Sequence, residues 1–187
     1  MDGVRSGLVC VIAQADPAFE RLRLQHDPHA IAGVPAHVTC LAPFMPPRLI
    51  DGEVLGALDE LATAFEAFEV QFHEVEEFPG VVWLRPEPED RFRALTRTLV
   101  SAFPDYPPYE GAIPDPQPHM TVGMDLDART QASVREQVDL EVVPRLPFQA
   151  MIGSMSLLIL DQHGSWAEGA RFTFAAPRAT AEPPLVT

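Results

Sequence analysis

Two short segments of the sequence contain a histidine and a threonine separated by one apolar residue. His37 and Thr39 lie in PAHVTCLAPF (35–44), and His119 and Thr121 lie in PHMTVG (118–123). Chance placement of six histidines and nine threonines in 187 residues predicts roughly 0.3 such pairs, so the repetition indicates function. Two imidazoles can serve as acid and base near neutral pH, and threonine hydroxyls can donate hydrogen bonds to the oxygens of an anion.

Both segments are predicted to be strands, because each is an apolar run next to prolines. Alternate side chains of a strand point to opposite faces, so His37 and Thr39 share one face while Val38 enters the core. The same alternation places His119 and Thr121 on one face. A duplicated unit of strand and helix, with its two copies meeting across a cleft, would produce this pattern.

Prolines mark the joints between alternating predicted strands and helices. The predicted helices span 16–26, 48–66, 87–103 and 127–139, and the predicted strands span 7–14, 35–44, 68–78, 80–86, 119–124, 141–151, 154–161 and 169–176. Short strands in mixed order favour an α+β fold with antiparallel sheets. We expect one domain over residues 1–176 and a disordered tail over residues 177–187.

The composition limits the partners and the chemistry. A net charge of −14 and a pI near 4.7 argue against a surface that follows long nucleic acid, since such binding neutralises many phosphates. All 13 basic residues are arginines. Without lysine, the chain has no Walker A loop, no pyridoxal phosphate Schiff base and no lysine that carries a nucleotide.

The apolar segments and the cysteines bear on location. No apolar run approaches the ~20 residues of a membrane span, and the start MDGVRSGLVC lacks the length and charge pattern of a signal peptide. We therefore expect a cytoplasmic protein without a membrane partner. Cys10 and Cys40 lie in apolar runs and are predicted to be small buried hydrophobic residues rather than a disulfide.

The paired motifs resemble those of the two-histidine phosphoesterases, also called the 2′-5′ RNA ligase superfamily. The segment 76–111, EEFPGVVWLRPEPEDRFRALTRTLVSAFPDYPPYEG, is similar to that family's linking strand, helix and proline-rich loop, and SWAEGARFTF (165–174) is similar to its closing strand. The resemblance implies a bilobal α+β fold with two antiparallel sheets around a central groove and helices on the outer faces. It also implies metal-independent chemistry on 2′,3′-cyclic phosphates or 2′-5′ phosphodiester bonds.

The chemistry of the residues agrees with that implication. Opening a cyclic phosphodiester needs a base that activates water and an acid that protonates the departing sugar oxygen. His37 and His119 are the candidates for these roles, which the sequence does not distribute between them. Thr39 and Thr121 are the candidates for donors to the non-bridging phosphate oxygens, where charge builds in the transition state.

Three further residues are candidates for substrate binding. Arg85 shares strand parity with Trp83, and Arg171 lies in the last predicted strand, so either guanidinium could reach a phosphate or remain solvated. Tyr109 lies with Tyr106 in the DYPPYEG loop, where a tyrosine could stack on a base or pack the loop onto the second lobe.

The remaining histidines are weaker candidates. His26 and His29 are three residues apart at a predicted helix end and have no third ligand, so they are poor evidence for a metal. His73 and His163 are predicted to be surface residues. We predict no metal site and no cofactor.

Three functions remain open. The leading one is a cyclic phosphodiesterase that acts on a small nucleotide or an RNA end, and the second is a reversible 2′-5′ RNA ligase, against which the acidic composition counts. The third is a non-catalytic module that binds nucleotides or RNA. The expected partner is a small nucleotide or RNA terminus with a cyclic phosphate rather than long nucleic acid, and the expected state is a monomer.

Overall fold

Eight strands form two antiparallel sheets in the part of the chain that this computed structural model describes, residues 5–13, 15–113 and 115–177. The strands are β1 (Ser6–Val11), β2 (His37–Leu41), β3 (Phe68–Phe78), β4 (Val81–Glu87), β5 (Met120–Gly123), β6 (Phe148–Ile152), β7 (Ser154–Leu160) and β8 (Trp166–Thr173). The first sheet has the order β2-β1-β7-β8, and the second has the order β5-β4-β3-β6. Each histidine–threonine motif therefore lies at or beside a strand on the edge of its own sheet.

Five α-helices accompany the sheets in this described part. They are α1 (Pro17–His26), α2 (Pro28–Ile31), α3 (Gly52–Thr63), α4 (Glu89–Ala102) and α5 (Ala128–Glu141). Aspartates begin three of the longer helices: the carboxylates of Asp16, Asp51 and Asp127 accept hydrogen bonds from N–H groups in the first turn. These caps satisfy donors that have no partner within the helix, which explains where the helices start.

Two helices cross from one sheet to the other. α1 follows β1 of the first sheet but packs against β5 of the second, and α4 follows β4 of the second sheet but packs against β2 of the first. The N–H of Met124, just after β5, donates to the His26 carbonyl at 3.0 Å, and Thr96 Oγ1 on α4 donates to the Cys40 carbonyl at 2.8 Å. Each motif strand is therefore held by the helix of the other repeat.

The close approach of α1 to β5 depends on a glycine. A Cβ atom at Gly123 would lie 3.0 Å from His26 Cβ and 3.2 Å from the His26 carbonyl oxygen. Both contacts are shorter than ordinary van der Waals distances, so a larger residue would push the end of α1 away from the second motif strand.

One hydrophobic core connects the two sheets and the helices. It contains Leu8, Cys10, Val38 and Leu41 from the first sheet, Val70, Phe72, Val82 and Leu84 from the second, and Phe19, Leu22, Phe92, Leu95 and Leu99 from α1 and α4. α3 packs on β8, and α5 packs on β4 and on α1. Burial of these apolar side chains is the main favourable contribution to folding, and it fixes the two sheets relative to each other.

The first sheet is curled, because the start of β8 reaches the loop that precedes β2. The N–H of Trp166 donates to the Ala32 carbonyl at 2.8 Å, and Val9, Val34 and Leu158 form a small second cluster packed with Trp166. Val9 lies opposite Thr39 in the strand register, so this cluster is on the face that carries the first motif.

The structure confirms the predicted α+β class with two antiparallel sheets, and it corrects three boundaries. The strand predicted over 141–151 begins only at Phe148, because α5 continues to Glu141 and a 3-10 turn follows at Val143–Arg145. The helix predicted over 48–66 begins at Gly52, after a 3-10 turn at Pro47–Leu49, and the last strand is Trp166–Thr173 rather than 169–176. The predicted tail lies outside the described residues from position 178 onward.

Among the helices of the described residues, none has the length and apolar character needed to span a bilayer.

Candidate active site

The two motif histidines have the same hydrogen-bond geometry. His37 Nδ1 lies 2.8 Å from the Pro35 carbonyl oxygen, and His119 Nδ1 lies 2.7 Å from the Gln117 carbonyl oxygen. A carbonyl can only accept, so Nδ1 carries the proton in both neutral rings and Nε2 carries the lone pair. Neither Nε2 atom has a hydrogen-bond partner among the described residues, so both are available for proton transfer.

The two motif threonines are half-buried, and within the described residues neither hydroxyl has a hydrogen-bond partner. Their strand neighbours Val38 and Met120 are fully buried, as the predicted alternation requires. A hydroxyl that is held in place and uncommitted can donate to an oxygen of a bound anion. The structure therefore places one free imidazole nitrogen and one free hydroxyl on each motif.

The two motifs are close to each other because β2 and β5 are in contact across the sheets. His119 lies near enough to His37 for its charge to lower the pKa of His37. A positive charge on one ring thus disfavours a positive charge on the other, and this coupling suits a site in which one imidazole is neutral while the other is charged.

The pKa values of both histidines are depressed, but their surroundings differ. Burial is the main reason why the pKa of His37 is lowered from 6.5 to about 4; the hydrogen bond to Pro35 and the charge of Asp27 oppose this, and the positive charge of Arg23 adds to it. Burial also lowers the pKa of His119, against the hydrogen bond to Gln117, and no cation contributes there. His37 is therefore neutral at pH 7.

A buried ion pair lies beside His37. Arg23 Nη2 is 2.9 Å from Asp27 Oδ2, both side chains are buried, and the same nitrogen lies 3.3 Å from the Val34 carbonyl oxygen. The other oxygen of Asp27 accepts from the His29 backbone N–H at 2.9 Å. This pair joins α1, α2 and the segment that leads into the first motif.

Aromatic rings surround His119 instead. The centroid of the Phe78 ring lies 5.5 Å from the centroid of the His119 ring, and that of Trp83 lies 5.8 Å from it. The Phe78 and Trp83 rings stack on each other with their centroids 4.7 Å apart. Trp83 is the register partner of Thr121, so it belongs to the face that carries the second motif. Its Nε1 atom is buried and has no hydrogen-bond partner among the described residues.

Arg85 and Arg171 are engaged with carboxylates. Arg85 Nε lies 2.6 Å from Glu89 Oε1 and Nη1 lies 2.7 Å from Glu76 Oε1, while Arg171 Nη2 lies 2.8 Å from Glu168 Oε2. These ion pairs raise the pKa of both guanidinium groups, chiefly through the hydrogen bonds to Glu89 and Glu168 respectively. Their predicted role as substrate ligands stays a prediction, and each would have to share its carboxylate partner with the substrate.

The strand register shows where Arg171 lies relative to the first motif. Arg171 is opposite Ser156, Ser156 is opposite Val9, and Val9 is opposite Thr39. Residues directly opposite each other in antiparallel strands share a face, so Arg171 is on the same face of the curled sheet as Thr39.

Tyr109 lies in a loop with unusual backbone geometry. Tyr109 and Glu110 have φ values of 50° and 56°, in the left-handed region that non-glycine residues rarely adopt. The Tyr109 N–H donates to the Ala42 carbonyl at 2.8 Å, which attaches this loop to the end of the first motif strand. Tyr106 packs against Phe44 at 5.8 Å, so it anchors the loop to the core.

A cavity of about 860 Å³ lies beside this loop. Its lining combines the aromatic side chains of Phe44, Tyr106, Tyr109 and Trp166 with Arg5, His29 and the carboxylates of Asp105 and Glu110. Trp166 and Arg5 were not among the predicted site residues, although Trp166 belongs to the closing-strand segment SWAEGARFTF. A cavity of this size is in the range of small-molecule sites, and rings on its walls can stack on a planar group; the four motif residues are not among its lining residues.

The two cysteines lie in the core rather than in the site. Cys10 and Cys40 are free and buried, as predicted, with their Sγ atoms 3.4 Å apart. In the described part of the chain, no three histidine, cysteine, aspartate or glutamate side chains converge in an arrangement that could hold a metal ion.

Comparison with known proteins shows which chains share this sequence pattern and fold. Residues 12–164 match a family model described as the 2′-5′ RNA ligase superfamily. E. coli LigT in complex with 3′-AMP is 19% identical, with a TM-score of 0.55 over 91% of this chain and 97% of that one. The protein TT0787 of Thermus thermophilus is 17% identical, with a TM-score of 0.53 over 90% of this chain and 97% of that one. Among curated protein sequences, none matches the chain significantly.

Proposed function

The chain belongs to the 2′-5′ RNA ligase superfamily, whose model matches residues 12–164, and from that premise we propose that it is a metal-independent phosphodiesterase. Its proposed reaction is hydrolysis of the 2′,3′-cyclic phosphate of a small nucleotide or an RNA end. The observation that carries the proposal is the matched pair of imidazoles, each with Nδ1 bound to a carbonyl and Nε2 free.

The different surroundings of the two histidines support one distribution of roles. His37 is neutral at pH 7 because burial, aided by the Arg23 cation and opposed by Asp27, lowers its pKa, so its Nε2 atom has a lone pair that can take a proton from the attacking water. His119 has no such cation beside it, and the negative charge of a bound phosphate raises the pKa of a nearby imidazole. His119 is therefore the general acid that gives a proton from Nε2 to the departing ribose oxygen.

Bonds and protons balance in the proposed hydrolysis. The oxygen of water forms a bond to phosphorus, the bond from phosphorus to one ribose oxygen breaks, His37 gains one proton and His119 loses one. Thr39 and Thr121 donate hydrogen bonds to the non-bridging oxygens, where negative charge accumulates in the transition state. Exchange with solvent restores both imidazoles after the product leaves.

Charge and cavity size favour a small substrate. Among the described residues, seven arginines pair with carboxylates of the chain: Arg21, Arg23, Arg85, Arg93, Arg135, Arg145 and Arg171. Because these arginines are paired with carboxylates and the chain has a net charge of −14, little positive surface is left for a long RNA. Structures of E. coli LigT hold 3′-AMP and NADP+. In this chain the rings of Tyr109 and Trp166 on the cavity wall are the candidates for stacking on a base.

Two other functions give different results in one experiment. The purified protein is incubated with 2′,3′-cyclic nucleotides, ADP-ribose cyclic phosphate and 2′-5′ dinucleotides, and the products are separated by chromatography. Hydrolysis of a cyclic phosphate to one phosphomonoester supports the proposal. Formation of 2′-5′ bonds from cut RNA ends would support the ligase, and binding without turnover would support a non-catalytic nucleotide-binding module.

A further inference from the structure

Each repeat of the fold contains an arginine that contacts the segment leading into its own motif histidine. Arg23 on α1 lies 3.3 Å from the carbonyl oxygen of Val34, three residues before His37. Arg93 on α4 lies 3.4 Å from the carbonyl oxygen of Pro116, three residues before His119. The same contact at the same offset in both repeats indicates a shared role rather than an incidental surface interaction.

The two arginines also share the kind of partner that orients them. Arg23 pairs with Asp27, the first residue after α1, and Arg93 pairs at 3.3 Å with Glu89 on its own helix, in each case at a spacing of four residues. A carboxylate one turn away limits the positions that the guanidinium can adopt. Arg23 and Asp27 are buried, whereas the side chains of Arg93 and Glu89 are 22% and 21% exposed.

Arg93 holds the second segment at more than one point. Nη1 lies 2.7 Å from Asp115 Oδ1, and Nη2 lies 2.7 Å from Gln117 Oε1. Gln117 is the residue whose backbone carbonyl accepts the bond from His119 Nδ1 at 2.7 Å. A single guanidinium thus fixes the residue that fixes the imidazole.

Glu89 extends this arrangement to Arg85. Glu89 Oε1 accepts from Arg85 Nε at 2.6 Å while Glu89 Oε2 accepts from Arg93 Nη2 at 3.3 Å, and the side chain of Gln117 also hydrogen-bonds Glu89. Arg85 is therefore connected to the second motif through Glu89.

We infer that Arg93 is a positioning residue for His119: it immobilises Asp115, Pro116 and Gln117 so that the Gln117 carbonyl keeps the imidazole in the Nδ1–H form with Nε2 free. This inference rests on the proposed function in treating His119 as catalytic. An arginine suits the role because its fork of five N–H donors reaches several acceptors at once, whereas a lysine places one nitrogen. Loss of the fork lets the ring rotate or change tautomer, and misplacement of a catalytic group by about 1 Å is enough to cost about 100-fold in rate.

The test compares Arg93→Ala with Arg97→Ala, an exposed arginine one turn further along the same helix. Imidazole ¹H–¹⁵N correlation spectra at neutral pH report the tautomer of His119 without any substrate. We expect the Nδ1–H form in the wild type and in Arg97→Ala, and a mixture with the Nε2–H form in Arg93→Ala, while His37 is unchanged. Arg93→Lys should restore the wild-type tautomer only in part.

Kinetics on a 2′,3′-cyclic mononucleotide supply the second measurement. Arg93→Ala should lower kcat by about 10–100-fold and change KM much less, because it disturbs the proton donor rather than substrate binding. If Arg93→Ala does not fold, the same spectra are recorded for Gln117→Ala, which removes the contact between Arg93 and the Gln117 side chain. An unchanged His119 tautomer in the folded variant, or an equal change in Arg97→Ala, overturns the inference. A changed tautomer in a protein whose wild type has no turnover would refute the proposed function while leaving the positioning role of Arg93 standing.

Discussion

Replacing His37 by glutamine should make the stability of the protein less dependent on pH. The imidazole of His37 titrates near 6.5 when exposed to water, and burial lowers its pKa to about 4 in the folded protein. Between these two values the unfolded chain binds a proton that the folded protein does not bind. The free energy of unfolding of the wild type must therefore fall as the pH decreases through this range.

The size of the effect follows from the two pKa values. Each unit between the folded and unfolded pKa is worth about 1.4 kcal/mol, so His37 costs about 3 kcal/mol of stability once the pH has fallen to about 4. None of this cost is present above about pH 7, where both states leave the ring neutral. The variant lacks the titrating group, so its stability should decrease by about 3 kcal/mol less than that of the wild type over the same interval.

Urea unfolding followed by tryptophan fluorescence at a series of pH values measures this difference, since Trp83 is buried in the folded protein. The informative quantity is how the difference in unfolding free energy between the wild type and His37→Gln changes with pH, because the substitution itself shifts the stability equally at every pH. His163→Gln, in an exposed turn, is the matched control and should follow the wild type. Parallel curves for the wild type and His37→Gln would show that the pKa of His37 is not depressed, and the argument for its role as base would fail.

Three further predictions concern activity on cyclic phosphates. His37→Ala and His119→Ala should each lower kcat/KM by about 10²–10⁴-fold, and His163→Ala should change it little, so comparable activity in all three variants would contradict the site. Activity should survive exhaustive EDTA treatment; loss on chelation with recovery on adding zinc or manganese would point to a metallohydrolase. With rising salt, kcat/KM should stay level for a cyclic mononucleotide and stay level or increase for a long RNA end, whereas steep weakening of RNA binding would reveal a basic surface and favour the ligase.

The alternation of polar and apolar residues in the motifs was enough to predict their local geometry. Val38 and Met120 are fully buried while the histidines and threonines are not, because the two faces of a strand in these sheets meet different environments. The Nδ1–carbonyl bonds were not predictable, since they depend on how the chain turns just before each strand.

One element was predicted wrongly for a reason that the sequence contains. The β-branched Val142 and Val143 favoured a strand from residue 141. Val134, Val138 and Val142 are buried, and their spacing of four residues continues the buried face of α5 to the end of the helix. Helical periodicity over nine residues outweighs the strand propensity of two neighbours.

The environment of Arg85 illustrates a second kind of limit. Its strand parity places it on the same face as Trp83, but its partners come from a neighbouring strand and from the helix that follows, at Glu76 and Glu89. Sequence spacing identifies Glu89 as a candidate i,i+4 partner, but the contact with Glu76 depends on how β3 and β4 pair, and there the residue directly opposite Arg85 is Glu74. Such partners decide whether an arginine is free for a phosphate or committed to the protein.

The crossing of α1 and α4 explains why two sheets from different parts of the chain can bring both motifs into one candidate site. A hinge between the two halves would let the two imidazoles separate, whereas each motif strand here is bound to the helix of the opposite repeat, through the His26 carbonyl on one side and Thr96 on the other. Separating the sheets would expose the buried faces of both helices, with Phe19 and Leu22 on α1 and Phe92, Leu95 and Leu99 on α4. Each fully buried side chain of this kind is worth about 1.5–3 kcal/mol, so the spacing of His37 and His119 is maintained by the core itself.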